Sequence, residues 1–106
     1  MDRETQVMQL IVHAGDARSC AMEALRIARE GGFESAEEKM RQCEQAMTLA
    51  HQIQAELLES SFSENAAVDM LLVHAQDHLT MAILTYDFAQ ELIELHRIRY
   101  LQTPVH

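Results

Sequence analysis

The sequence almost lacks residues that break or reverse a chain. Its one proline is Pro104 and its three glycines are Gly15, Gly31 and Gly32, so few positions can serve the tight turns that an all-β fold needs. Hydrophobic residues nevertheless make up 48% of the chain, and long helices are the economical way to bury them. Val7, Leu10, Ile11, Ala14, Ala17, Ala21, Leu25 and Ala28 follow helical spacing and stop at Gly31-Gly32, which predicts a first helix over about residues 3–30. Ser35 or a near neighbour can cap a second helix. Its stripe runs through Ala36, Met40, Cys43, Met47, Ala50, Ile53, Leu57 and Leu58 to the interruption at Ser60-Ser61, giving about residues 34–59. Ser63, with Glu64 and Asn65 in the first turn, predicts a third helix over about residues 64–98, and residues 99–106, with Pro104, are predicted to be a disordered tail.

Connections this short force consecutive helices to run antiparallel. The 106 residues have room for one core, and no repeat or linker divides them, so the expectation is a single domain over residues 1–106, an antiparallel three-helix bundle.

A formal net charge of −9, with no cluster of Lys and Arg, argues against nucleic acid and anionic membrane surfaces as partners. The apolar runs Met70–Val73 and Met81–Leu84 fall far short of the roughly 20 residues that span a bilayer, so a soluble protein is predicted. The start Met1-Asp2-Arg3-Glu4 lacks the basic and then apolar order of a signal peptide, which points to the cytoplasm. Cys20 and Cys43 are then expected to be reduced thiols; they form no CxxC pair and read as small buried side chains.

The third helix carries two apolar stripes. Leu71, Ala75, Leu79, Ala82, Tyr86, Ala89 and Ile93 suffice to pack against the other two helices. Met70, Met81, Leu84, Phe88 and Leu92 form a second stripe that a monomer does not need, and self-association is the simplest way to bury it. His74 and Asp77 lie in this second stripe and His78 at its border, spaced i, i+3 and i+4 so that they project to one side of the helix. Read from spacing alone, His74 is a structural histidine, a metal ligand or a nucleophile. Asp77 either pairs with a nearby Arg or His, or meets its copies at a symmetry axis around a cation. His74 and His78 have the HxxxH spacing of a zinc pair, yet no third ligand or HExxH glutamate accompanies them. No glycine-rich phosphate loop or GxSxG motif is present. Gly15 sits inside a helix at a cost of up to about 1 kcal/mol against alanine, for which close helix packing is the expected reason. Asp16 and Arg18 read as a solvated or intersubunit polar pair.

The segment Val73-His74-Ala75-Gln76-Asp77-His78-Leu79-Thr80 resembles the active-site signature of the enzyme IIA component of the lactose/cellobiose (chitobiose) family of the bacterial phosphoenolpyruvate-dependent sugar phosphotransferase system. Similarity extends to Ala14-Gly15-Asp16-Ala17-Arg18-Ser19, Glu23-Ala24-Leu25, Gly32-Phe33, Ala50-His51 with Gln54, and Leu92-Ile93-Glu94-Leu95, so that it covers about residues 3–98. It departs at Ala55, where threonine often follows the glutamine, and over residues 60–67. The resemblance implies a homotrimer of three-helix bundles with active histidines in grooves between subunits. It implies that His74 accepts the phosphoryl group and that Asp77 meets its symmetry mates around a divalent metal ion, with magnesium or calcium favoured over zinc by an all-oxygen site. The implied donor is the phosphocarrier protein HPr, and the implied acceptor a cysteine of enzyme IIB serving uptake of a β-linked disaccharide. Gln76 and His78 are the candidates to support the phosphoryl oxygens. A histidine phosphotransfer signalling domain is the rival of similar chemistry, but such domains place lysine and glycine soon after the histidine. A helical oligomerisation module without catalysis would leave the His74 signature without a role.

Overall fold

The structure is a computed structural model that describes residues 2–63 and 69–102. Three helices follow one another, α1 (Arg3–Arg29), α2 (Phe33–Ser63) and α3 (Met70–Gln102), and make a rod of 64 × 18 × 17 Å. Asp2 caps α1 by accepting a 2.8 Å hydrogen bond from the Thr5 amide, and this bond holds its carboxyl below the ordinary range. The helix ends in a paired-bond stop: the Gly32 amide donates to the Ile27 carbonyl and the Gly31 amide to that of Ala28, with Gly31 at φ +89°. Only glycine takes that φ without strain, and a Cβ on Gly31 would also stand 3.0 Å from the Tyr100 ring.

α1 lies between the other two helices because its buried face is mostly alanine: Val7 and Leu10 give way to Ala14, Ala17, Ala21, Ala24 and Ala28, each at most 1% exposed. Small side chains at i, i+3 and i+4 let both neighbours approach its backbone. α2 contributes Ala36, Met40, Cys43, Ala50 and Leu57, and α3 contributes Leu72, Ala75, Leu79, Ala82, Ala89 and Ile93. α2 and α3 touch each other less. The cleft of about 300 Å³ between them is lined by Met40 and Ile93 at its floor and by charged residues at its rim, Arg97 among them.

Several boundaries differ from the sequence expectation. α2 runs through Ser60-Ser61 to Ser63, so Ser63 closes a helix instead of starting one. The cap of α3 is Asp69, which accepts a 2.9 Å hydrogen bond from the Leu72 amide; Glu64 and Asn65 lie outside the described residues. Asp69 brings the same cap chemistry that was expected of Ser63 and directly adjoins the apolar run Met70–Val73. At the other end α3 continues past Ile98 to Gln102. Residues 99–102 are thus helical, and residues 103–106 lie outside the description. The extension has a purpose in packing, since Tyr100 meets Phe33 edge to face at 5.6 Å and Arg97 lies over the Phe33 ring while pairing with Glu37 at 2.7 Å. Leu72 is buried where Leu71, only partly covered, was expected, and α2 begins at Phe33, with the Gly32 carbonyl accepting from Ala36, two residues ahead of Ser35.

Cys43 is fully buried and Cys20 partly so, both as free thiols. Burial first, and then the neighbouring Cys20 and Glu44, push the Cys43 thiol up to about 11 from 9.0. Tyr86 is pushed up to about 12 from 10.0, first by burial and then by the hydrogen bond it donates to Glu44. Both folded values exceed the unfolded ones, so their stabilisation is complete below pH 9 and is lost as the pH climbs from 9 toward 12. Urea midpoints measured across that interval should fall, and Cys43→Ala should remove the part of the fall that begins near pH 9. In the native protein at neutral pH, Cys43 should resist alkylation until urea unfolds the chain.

Candidate functional site

The second apolar stripe of α3 is where the sequence places it, on the outside of the bundle. Met70, Met81, Leu84, Phe88 and Leu92 are all exposed, Leu84 by 54% and Phe88 by 60%, although each is large and apolar. Val73 and Leu95 widen the same face, and α1 adds exposed Met8, Val12 and Met22. Isolated exposed apolar residues are ordinary; an apolar face of this length on one rod marks a candidate interaction surface.

His74 stands on this face, on the second turn of α3, with its imidazole exposed. One turn further on, His78 is half-buried and its Nε2 lies 3.1 Å from Nε2 of His74, the two rings meeting edge to face at 4.6 Å and 85°. A hydrogen bond between two imidazoles needs one nitrogen protonated and the other bare. When His78 donates, His74 keeps a lone pair on Nε2 and carries its proton on Nδ1, so the partner ring sets both the tautomer and the orientation of a nucleophilic nitrogen.

Gln76 goes elsewhere. Two residues along a helix, its side chain leaves on the far side from His74, and its Oε1 accepts from Nε2 of Gln54 across the α2–α3 junction. Its place is a tie between helices, not a position beside the His74 ring. Gln54 was marked in the sequence only as part of the family similarity at Ala50-His51, and the pairing could not be seen until α2 and α3 were brought into register. Asp77 is exposed in the middle of the apolar face and makes no hydrogen bond or ion pair among the described residues, so the local Arg or His partner considered for it is not there. Among the described residues no three His, Cys, Asp or Glu side chains of one chain stand together as metal ligands. Asp16 and Arg18 are both exposed and do not pair with each other. Gly15 is not a point of close packing within the chain, since a Cβ there would meet nothing within 4 Å.

Among the described residues, no helix is long and apolar enough to cross a membrane. What the face offers chemically is an accessible imidazole, oriented by a second one, in apolar surroundings on rigid helix. The sequence pattern of the family described as "PTS system, Lactose/Cellobiose specific IIA subunit" matches residues 5–97. The N,N'-diacetylchitobiose-specific EIIA component of Escherichia coli (strain K12) is 44% identical over 94 residues, 88% of this chain and 81% of that protein. Among solved structures, the cellobiose-specific enzyme IIA of Bacillus anthracis superposes with a TM-score of 0.91 at 39% identity, covering 97% of this chain and 96% of that one. The IIA(chitobiose) chain of the Escherichia coli IIA(chitobiose)–HPr complex superposes with a TM-score of 0.85 at 40% identity, covering 94% and 98%.

Proposed function

The chain belongs to the lactose/cellobiose-specific IIA family of the sugar phosphotransferase system and is a phosphotransferase component of that system, and on that premise we propose that His74 takes a phosphoryl group from phospho-HPr and gives it to a cysteine of enzyme IIB in the cytoplasm. The observation that carries the assignment to His74 is its exposed imidazole held 3.1 Å from His78, nitrogen to nitrogen. In the first step the imidazole lone pair attacks phosphorus, a P–N bond forms on His74 and the P–N bond on the donor histidine breaks. In the second a thiolate attacks, the P–S bond forms and His74 regains its lone pair. Neither step needs the protein to supply covalent chemistry of its own, so its contribution is positioning and stabilisation of the phosphoryl oxygens. His78, displaced from the nitrogen that becomes phosphorylated, remains one turn away to donate to a phosphoryl oxygen. The apolar face around His74 is shared docking ground, which obliges donor and acceptor to bind in turn. The relative solved with HPr supports HPr as the donor. Mixed with phospho-HPr and enzyme IIB, the protein should pass label from one to the other; label that reaches enzyme IIB equally well without it would contradict the reading.

The exposed second stripe supports a homotrimer in which α3 of each copy turns toward the axis. Asp77, unpartnered in the middle of that stripe, is then the residue that would hold a shared divalent cation, probed first with magnesium. One chain supplies one carboxylate, so three copies are needed to offer an oxygen site, and the ion would neutralise charges that otherwise repel. Asp77→Leu should abolish magnesium binding measured by calorimetry while leaving the sedimenting species trimeric. Dissociation to monomers in that variant would place the ion, not the apolar stripe, at the origin of assembly.

A further inference from the structure

The outer face of α3 has two differently charged borders at matching heights. On the α1 side, Met22, Leu25, Arg26 and Arg29 share a groove with Leu92 and His96. Arg18 and Gly15 continue the same row of α1 toward its start, one and two turns before Met22. Arg18, Arg26 and Arg29 make no ion pair among the described residues. On the opposite border, toward α2, Leu84, Asp87, Phe88, Gln90 and Glu91 form a shallow hollow. Asp87 and Glu91 are likewise without ion pairs. One border is therefore cationic with a gap at Gly15, and the other acidic with a projecting Leu84.

Their heights follow from contacts between helices. Cys20 stands against Gln42 across α1 and α2, and the adjacent Glu44 accepts from Tyr86 across α2 and α3. Arg18 is accordingly level with the turn holding Tyr86 and Asp87, and Gly15, almost one turn lower, with the turn holding Leu84. In a three-fold ring whose axis runs along the rods, residues at equal height meet, and each subunit presents one border to the neighbour's other border.

We propose that the trimer closes through this pairing: Leu84 of one copy seats in the gap over Gly15 of the next, and Asp87 of that copy meets Arg18. The inference rests on the trimeric reading given above and adds the contacts that choose its register. It also completes the phosphoryl site, because Val73 and Thr80 lie on the same border as Leu84 and Asp87 and come to stand across from His74 and His78 of the neighbouring copy. The mid-helix glycine thereby acquires a reason that the isolated chain does not supply: room for a side chain from outside.

Sedimentation equilibrium on the full chain tests this. Gly15→Leu should weaken the trimer about tenfold or more with helix content retained, and Asp87→Arg should weaken it by a similar factor, while Arg18→Asp combined with Asp87→Arg restores it to within about threefold. Asp87→Arg and its rescue read the contact without altering a helix interior. A wild-type trimer that neither single variant weakens, or an Asp87→Arg defect that Arg18→Asp does not relieve, would overturn the pairing and leave the trimer itself standing. A wild-type chain that sediments as a monomer would overturn both.

Discussion

Substituting alanine for His74 is expected to abolish phosphoryl uptake from phospho-HPr, leaving no acid-labile label above background, while the helical content stays unchanged because the imidazole is exposed and outside the core. No other described side chain replaces it: His78 is half-buried and turned toward His74, and among the described residues His13, His51 and His96 have no comparable hydrogen-bond partner. His78→Gln gives a graded result. Losing a group that orients a nucleophile or donates to the transferring phosphoryl costs on the order of 10²-fold in rate, so label should still accumulate on His74, slowly. Gln76→Ala, by contrast, removes the tie to Gln54 and should act through stability more than through the transfer step. Rapid-quench transfer assays on the three variants separate these roles, and full uptake by His74→Ala would remove the basis of the site.

The second large effect separates the two stripes of α3. Leu79 is 1% exposed and is one of few large side chains in a core lined with alanine, so Leu79→Ala should cost about 2–5 kcal/mol. That is a substantial share of the roughly 5–15 kcal/mol available to a domain, and urea titration should show a much lower midpoint or no native baseline. Leu84→Ala lies five residues away on the same helix but is 54% exposed in the single chain. It should leave the monomer's stability nearly unaltered and instead shift sedimentation toward smaller species. If both substitutions act alike on the monomer, the outer face belongs to the core and not to an interface.

The helices themselves were legible because each reports its burial through spacing: the alanine row of α1 and its stop at Gly31-Gly32 appear in the structure as the sequence pattern anticipates. Boundaries were less so. Ser63 and Asp69 are both good caps, and only packing decides between them; Tyr100 has no visible reason to be helical until Phe33 and Gly31 are folded back beneath it. The second stripe was legible as an excess, since α3 has more apolar circumference than a three-helix monomer can use. The site divided in the same way. His74 and His78 were brought together by the i, i+4 geometry that any helix enforces, whereas Gln76 was assigned to them by nearness in sequence and is carried by the helix to the opposite border. Gly15 was the reverse case: its packing role looked internal because sequence cannot tell a crowded helix face from an open one.

Intact-mass measurement and peptide mapping after incubation with phosphoenolpyruvate, enzyme I and HPr decide whether His74 is the phosphoryl acceptor. One phosphoryl group per chain is expected, confined to the peptide that contains His74 and lost on brief exposure to acid. No added phosphoryl group, or an acid-stable one on any other residue, would contradict it.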